Sequence, residues 1–331
     1  MASEHDVTRR TFLATTAIGA AHVWVPDPVK GYSPTELYAL SASGALIEKG
    51  ISKWELDTPA LCVDLDRLDR NIARMQATLT KNGLASRPHA KTHKSADIAR
   101  LQLSRGSIGI CASKLSEAEA LAAQGIDRIC MTTANLSPAK IRRAMQLRKR
   151  LPQFIQAVDW DANARDLSAA AKEAGVVADV VIDVAVGARS GIPAGDGALA
   201  LARLVDTLPN LKLRGLLSYD GGAQHIAGFA TRRARALAAL EENVRTWEAM
   251  KKAGLDTGIF SGGGTGTYNI PPEVPGLTDV QVGSYVFMDM QYLEIGREDG
   301  SAVFDDFEVS LTVLATVLNN RFPPRLTTDA G

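Results

Sequence analysis

Between Arg87 and Lys94 the sequence reads Arg-Pro-His-Ala-Lys-Thr-His-Lys, five basic or imidazole side chains in eight residues. Read as the end of a strand over 86–91, the run sends Arg87, His89 and Lys91 to one face, because strand side chains alternate. Three potential cations on an inward face are costly unless an anion or a polar network sits beside them, so the pattern implies a buried, negatively charged ligand. Lys91 lies nearest the carboxyl end of the strand. Positive charge on Arg87, Lys94 or a protonated histidine would lower its pKa and make its amine more nucleophilic toward an aldehyde. The plain alternative is a basic loop facing solvent.

A second run, Ser261-Gly262-Gly263-Gly264-Thr265-Gly266-Thr267, directly follows another strand candidate. Consecutive glycines let backbone amides converge on a phosphate, and Thr265 or Thr267 can add a hydroxyl. No P-loop lysine follows, which argues against nucleoside triphosphate hydrolysis. Gly283-Ser284-Tyr285 is a further short, hydrogen-bonding stretch.

These residues need a scaffold, and from Leu56 onward short apolar runs alternate with stretches of helical period, the pattern of α/β architecture with parallel strands. Strands are expected at 60–64, 86–91, 107–111, 128–131, 153–158, 178–184, 213–218, 257–261 and 280–287. Helices are expected at 66–79, 95–103, 115–123, 137–148, 161–174, 195–207 and 230–253. A (β/α)8 barrel needs eight strands, so one is surplus; if it is the first, the two glycine-bearing loops follow barrel strands seven and eight, where barrel phosphate sites usually lie. No G-x-G-x-x-G follows an early strand, which leaves a dinucleotide fold without support.

The bulk numbers narrow the class. Lys plus Arg and Asp plus Glu are 37 each, so the formal net charge is zero and nothing pulls the chain as a whole toward nucleic acid or anionic lipid. Cys62, Cys111 and Cys130 are isolated in apolar segments and are expected to be buried packing residues. Residues 1–30 resemble a twin-arginine signal, Thr8-Arg9-Arg10-Thr11-Phe12-Leu13 before a small apolar run, which implies export to the periplasm; without that reading the chain is cytoplasmic. Residues 31–55 read as a linker. No other segment is apolar enough to cross a membrane.

Several landmarks then fall in one order: Thr58-Pro59-Ala60 with Asp64-Leu65-Asp66, Arg87 to Lys94, Gly187-Ala188-Arg189-Ser190-Gly191, Tyr219 to His225, Gly263 to Tyr268, and Gly283 to Asp289. In this the chain resembles the D-threonine aldolase and D-serine dehydratase family. The resemblance implies an alanine-racemase-type fold: a pyridoxal 5′-phosphate (PLP) barrel at 67–290 of TIM type, and a β domain made of a first strand at 56–66 and a partial C-terminal piece at 291–331. It implies that Lys91 holds the cofactor covalently, that Arg189 lies near the phenolic oxygen and Tyr219 near the ring nitrogen, and that Gly263, Gly264, Thr265, Gly266, Gly283, Ser284 and Tyr285 fall where the phosphate is held. His89 and His225 are the candidate proton carriers or ring contacts. The implied partners are a small D-amino acid substrate and a second subunit in a homodimer. The implied reaction is lysis of a D-3-hydroxy amino acid, with dehydration or non-catalytic PLP binding as the alternatives.

Two departures accompany it. Ala185 stands where the family often has an acidic residue. The family also uses a divalent metal, manganese or zinc, held by a C-terminal histidine and a cysteine or aspartate, whereas all five histidines lie at or before His225. The chain thus reads as C-terminally truncated without the usual metal pair, with Asp289, Asp305 and Asp306 as the substitutes to consider.

Overall fold

The computed structural model describes residues 32–42, 50–187 and 189–331. The twin-arginine-like segment lies outside them. No helix among the described residues is long and apolar enough to cross a membrane.

Eight parallel strands form one sheet: β2 (Ala85–Ser86), β3 (Ile110–Ala112), β4 (Ile129–Met131), β5 (Ile155–Val158), β6 (Ala178–Asp183), β7 (Leu211–Ser218), β8 (Ile259–Gly262) and β9 (Asp279–Val280). Their order is β2-β9-β8-β7-β6-β5-β4-β3. The two ends of this row meet, because Ile108 N donates to Ser86 O at 3.0 Å and Cys111 N to Pro88 O at 2.7 Å, with His89 bridging to Cys111. The ring is therefore closed, with no unpaired edge.

The helices between the strands are α2 (Leu65–Lys81), α3 (Ala96–Ser104), α4 (Leu115–Ala123), α5 (Pro138–Arg150), α6 (Asp161–Ala174), α7 (Asp196–Thr207) and α8 (Phe229–Lys252); α1 (Pro34–Ala42) stands in the expected linker and α9 is the short Met290–Leu293. Local sequence explains their ends. Ser95 and Ser137 cap α3 and α5, Pro138 opens α5, and α5 closes on Arg148, Lys149 and Arg150 beside its exposed carbonyls. Gly175 ends α6 in the left-handed region at φ 69°.

Inside the ring, Cys111, Cys130, Ile155, Ala157, Val181, Leu217 and Ile259 form a buried apolar layer. Cys111 and Cys130 are register partners on β3 and β4, as packing residues should be. Cys62 departs from the expectation and is only partly buried.

Two expected strands end early. The regular strand ends at Ser86, because Pro88 has no N–H to donate; isolated backbone bonds to both neighbours continue through His89 before Ala90–Thr92 winds into a 3-10 turn. Likewise the strand expected over 280–287 stops at Val280, and Ser284–Val286 is a second such turn.

The chain divides into two compact units, one from Arg70 to Glu308 and one made of the residues up to Asp69 with Val309–Gly331. Residues 291–308 thus cluster with the barrel, later than the boundary expected at 290. In the smaller unit β1 (Ala60–Val63) pairs antiparallel with β10 (Leu311–Leu314), and β11 (Val317–Phe322) pairs with β12 (Arg325–Thr328) across Pro323–Pro324. The surplus first strand belongs here.

Candidate active site

A cavity of about 560 Å³ opens at the carboxyl ends of the barrel strands, and Lys91, His89, Arg189 and Tyr219 all stand on its wall. Lys91 is carried by the 3-10 turn after β2. His89 Nδ1 accepts the Lys91 backbone N–H at 3.3 Å, so the imidazole caps the turn that holds the lysine. Since Nδ1 accepts, Nε2 bears the hydrogen and donates to Thr132 Oγ1 at 3.2 Å. Burial, then Lys91 and His93, push the pKa of His89 down to about 3. A neutral ring with both nitrogens engaged suits a flat contact rather than a proton carrier near neutral pH.

The Lys91 amine reaches into the cavity and lies 5.0 Å from the centroid of the Tyr219 ring. Partial burial, then the charge of Arg189, lowers its pKa. Both effects favour the free amine, the form that adds to an aldehyde.

Arg87 does not join this cluster, which corrects the expectation of three cations facing one ligand. Its Nε donates to Asp279 Oδ1 at 3.0 Å, and Ser261 Oγ donates to the same oxygen at 2.5 Å. Burial opposes the charge of Arg87, but the raising interactions, led by Asp279, together exceed it and hold the guanidinium protonated. Lys94 instead faces Glu117 at 3.8 Å.

The glycine-bearing loops after β8 and β9 are tied to each other by Tyr285 N donating to Thr265 Oγ1 at 3.1 Å. Their amides are less free than the sequence suggests. Gly264 N donates to Thr267 Oγ1 at 3.2 Å and Gly266 N to Gln224 Oε1 at 2.9 Å. A Cβ on Gly266 would fall 2.0 Å from Gln224 O, and one on Gly283 would fall 2.7 Å from Thr92 Oγ1. These glycines permit close packing, the second of them against the turn that carries Lys91. The amides of Thr265 and Ser284 remain without a backbone partner among the described residues. None of Gly263, Gly264, Thr265, Gly266, Gly283, Ser284 and Tyr285 is on the cavity wall with Lys91. Tyr285 is fully buried, its hydroxyl accepting from Gln102 Nε2 at 3.0 Å.

His225 is exposed and packs at a tilt against Tyr292, ring centroids 4.4 Å apart, and is not on the wall that Lys91 shares. Asp289 caps α9 through Tyr292 N. Asp305 pairs with Arg297, and Asp306 with Arg74, Arg297 and the Tyr268 hydroxyl. Among the described residues no group of three or more His, Cys, Asp or Glu side chains is arranged to hold a metal. A metal therefore has no fitted ligand set here, and no step is assigned to one.

Sequence reasoning passed over Asp183, the last residue of β6. Along this strand Asp179, Val181 and Asp183 share a face, and the carboxyl-end member reaches the Lys91 cavity. Burial, then neighbouring Asp159, raises its pKa to about 6, against a hydrogen bond with Ser190 that lowers it. The Asp159 carboxylate in turn accepts Gly191 N at 3.3 Å, so two aspartates tie the loop bearing Arg189. An acidic residue closing a barrel strand was a legible signal.

Residues 63–291 match the family described as alanine racemase, N-terminal domain. A 3-hydroxy-D-aspartate aldolase of Paracoccus denitrificans (strain Pd 1222) is 35% identical over 285 residues, 85% of this chain and 74% of the relative. The chain belongs to this alanine-racemase-type family, in the company of the D-threonine and 3-hydroxyaspartate lyases. Within the family, a D-threo-3-hydroxyaspartate dehydratase of Delftia sp. (strain HT23) is 36% identical over 274 residues, covering 80% of this chain and 69% of that one. The crystal structure of D-threonine aldolase from Filomicrobium marinum superposes with a TM-score of 0.79 at 33% identity, covering 84% and 74% of the two chains. These family relatives are lyases, and the alanine-racemase-type barrel they share with this chain is the PLP-binding one.

Proposed function

We propose that this protein is a PLP-dependent lyase of D-threonine aldolase type, cleaving a D-3-hydroxy amino acid between Cα and Cβ to give glycine and an aldehyde. The observation that carries the reading is one amine: Lys91, its pKa lowered, stands over the Tyr219 ring in the cavity at the carboxyl ends of the strands. When bound, PLP supplies an electron sink for the pair left on Cα.

The chain's own residues supply the rest. Lys91 is the attachment point for the cofactor aldehyde, and His89 fixes that lysine's turn while presenting a neutral ring to the cavity. Tyr219 and Arg189 both line the wall, and the amides of Thr265 and Ser284 are donors a phosphate can take. Asp183, with a pKa of about 6, can hold or release a proton near neutral pH beside the reacting groups.

The Delftia dehydratase supports a second reading, in which the β-hydroxyl leaves as water. D-Threonine separates the two: bond cleavage yields acetaldehyde and glycine, whereas dehydration yields 2-oxobutanoate and ammonia. Acetaldehyde is expected, lost in Lys91→Ala. Release of 2-oxobutanoate transfers the assignment to the dehydratase. If D-threonine, D-serine and D-3-hydroxyaspartate, with added manganese, yield neither glycine plus the matching aldehyde nor the matching 2-oxo acid plus ammonia, a PLP-binding protein without turnover is left and the lyase reading ends.

A further inference from the structure

Arg87, left out of the Lys91 site, faces a second cavity. This one, of about 300 Å³, lies at the opposite, amino-terminal mouth of the barrel and is lined by Arg87, Arg128, Gln153, Asp179 and Arg214 among apolar neighbours. Three guanidinium groups thus share it with one carboxylate. That carboxylate is already committed, since Asp179 accepts Arg148 at 3.0 Å and Arg214 at 3.3 Å.

The arginines keep donors in reserve. Arg87 is 7% exposed, and among the described residues only its Nε is hydrogen-bonded, to Asp279, so both terminal nitrogens are without a protein acceptor and open to the cavity. Arg214 Nε is buried with no hydrogen bond, its nearest carboxylate, Asp256, standing 3.6 Å away. Among the described residues the carboxylate beside Arg128 is the exposed Asp127, at 3.7 Å. The approach is kept open by Gly109, where a Cβ would come within 3.0 Å of Arg87 Nη1 and of Arg128 O.

Buried guanidinium donors without acceptors carry a desolvation cost that an oxyanion relieves through charge-assisted, forked hydrogen bonds. We infer that the amino-terminal mouth of the barrel is a binding site for a small multivalent oxyanion of the phosphate or sulfate class, held by Arg87, Arg128 and Arg214 and separate from the Lys91 cavity. Three forked donors around one cavity match the several acceptor oxygens of a tetrahedral oxyanion.

The test uses PLP-loaded protein, so that phosphate does not report on the cofactor's own phosphate subsite. Calorimetric titration with inorganic phosphate and with sulfate, at constant ionic strength set by sodium chloride, is expected to show saturable binding of one ion per chain. In Arg128→Gln, a substitution at a half-exposed position, binding weakens at least tenfold while the PLP absorbance is unchanged. Arg214→Lys, which keeps the charge but loses the fork, weakens it as well. Absence of saturable binding in the unsubstituted protein overturns the inference, because water then satisfies the three forks. Equal binding in both variants overturns it too, because the ion is then held elsewhere.

Discussion

Asp183 offers a quantitative test of the carboxyl-end site. Its carboxyl is raised from 3.8 to about 6 in the folded protein, by burial first and Asp159 second. For an acid the sign follows directly: a raised folded pKa means the native state pays for ionisation, so this group costs stability at high pH and the cost disappears as pH falls. From 3.8 to about 6 the full cost is about 3 kcal/mol above pH 7. Integrating the proton linkage, about 1.4 kcal/mol of it is recovered between pH 7 and pH 5, and most of the remainder by pH 3.8. Asp183→Asn keeps the shape and the contact with Ser190 but cannot ionise. The variant is therefore expected to be more stable than the parent by up to about 3 kcal/mol at pH 7.5, the gap narrowing by about 1.4 kcal/mol at pH 5. Urea denaturation of both proteins, stripped of cofactor and run at pH 5, 6, 7 and 8, measures this, and taking the difference cancels every titrating group not coupled to Asp183. A gap that stays constant from pH 8 to pH 5 would show that Asp183 has an ordinary pKa and that the paired-carboxylate account of the cavity is wrong.

Arg87→Ala should lose about 3–5 kcal/mol in the same assay, because it strands the buried Asp279 carboxylate, while a paired Arg87→Met, Asp279→Leu exchange should lose much less. Gly266→Ala puts a methyl group 2.0 Å from Gln224 O and is expected to cost more than about 2 kcal/mol, visible as a lower melting temperature and weaker PLP retention. Thr132→Val removes the acceptor of the His89 Nε2 proton and should cost about 1–3 kcal/mol; a neutral outcome would show that this bond does not hold the ring.

Much of this protein follows from its linear sequence. The alternation of apolar runs with capped helical segments fixes nine strands and the helices between them, since hydrophobic period and capping are local properties. The lysine at the end of the second strand was legible for the same reason: residue type, position at a strand's carboxyl end and basic neighbours all lie within eight residues. Other features depend on residues far apart in the chain. Arg87 and Lys91 read alike as inward cations, and only the closing of the barrel, which brings Asp279 beside Arg87, sends one to an ion pair and leaves the other at the cavity. The glycines after β8 read as a phosphate cradle, yet Gln224, some forty residues earlier, takes the Gly266 amide. Asp183 acquires its raised pKa from burial in the folded barrel and then from Asp159 on a neighbouring segment. Local pattern determines which elements form, because a hydrogen-bonded turn or strand needs only near neighbours; charge state and donor availability wait on the tertiary fold, because electrostatic and hydrogen-bond partners are set by distance in space.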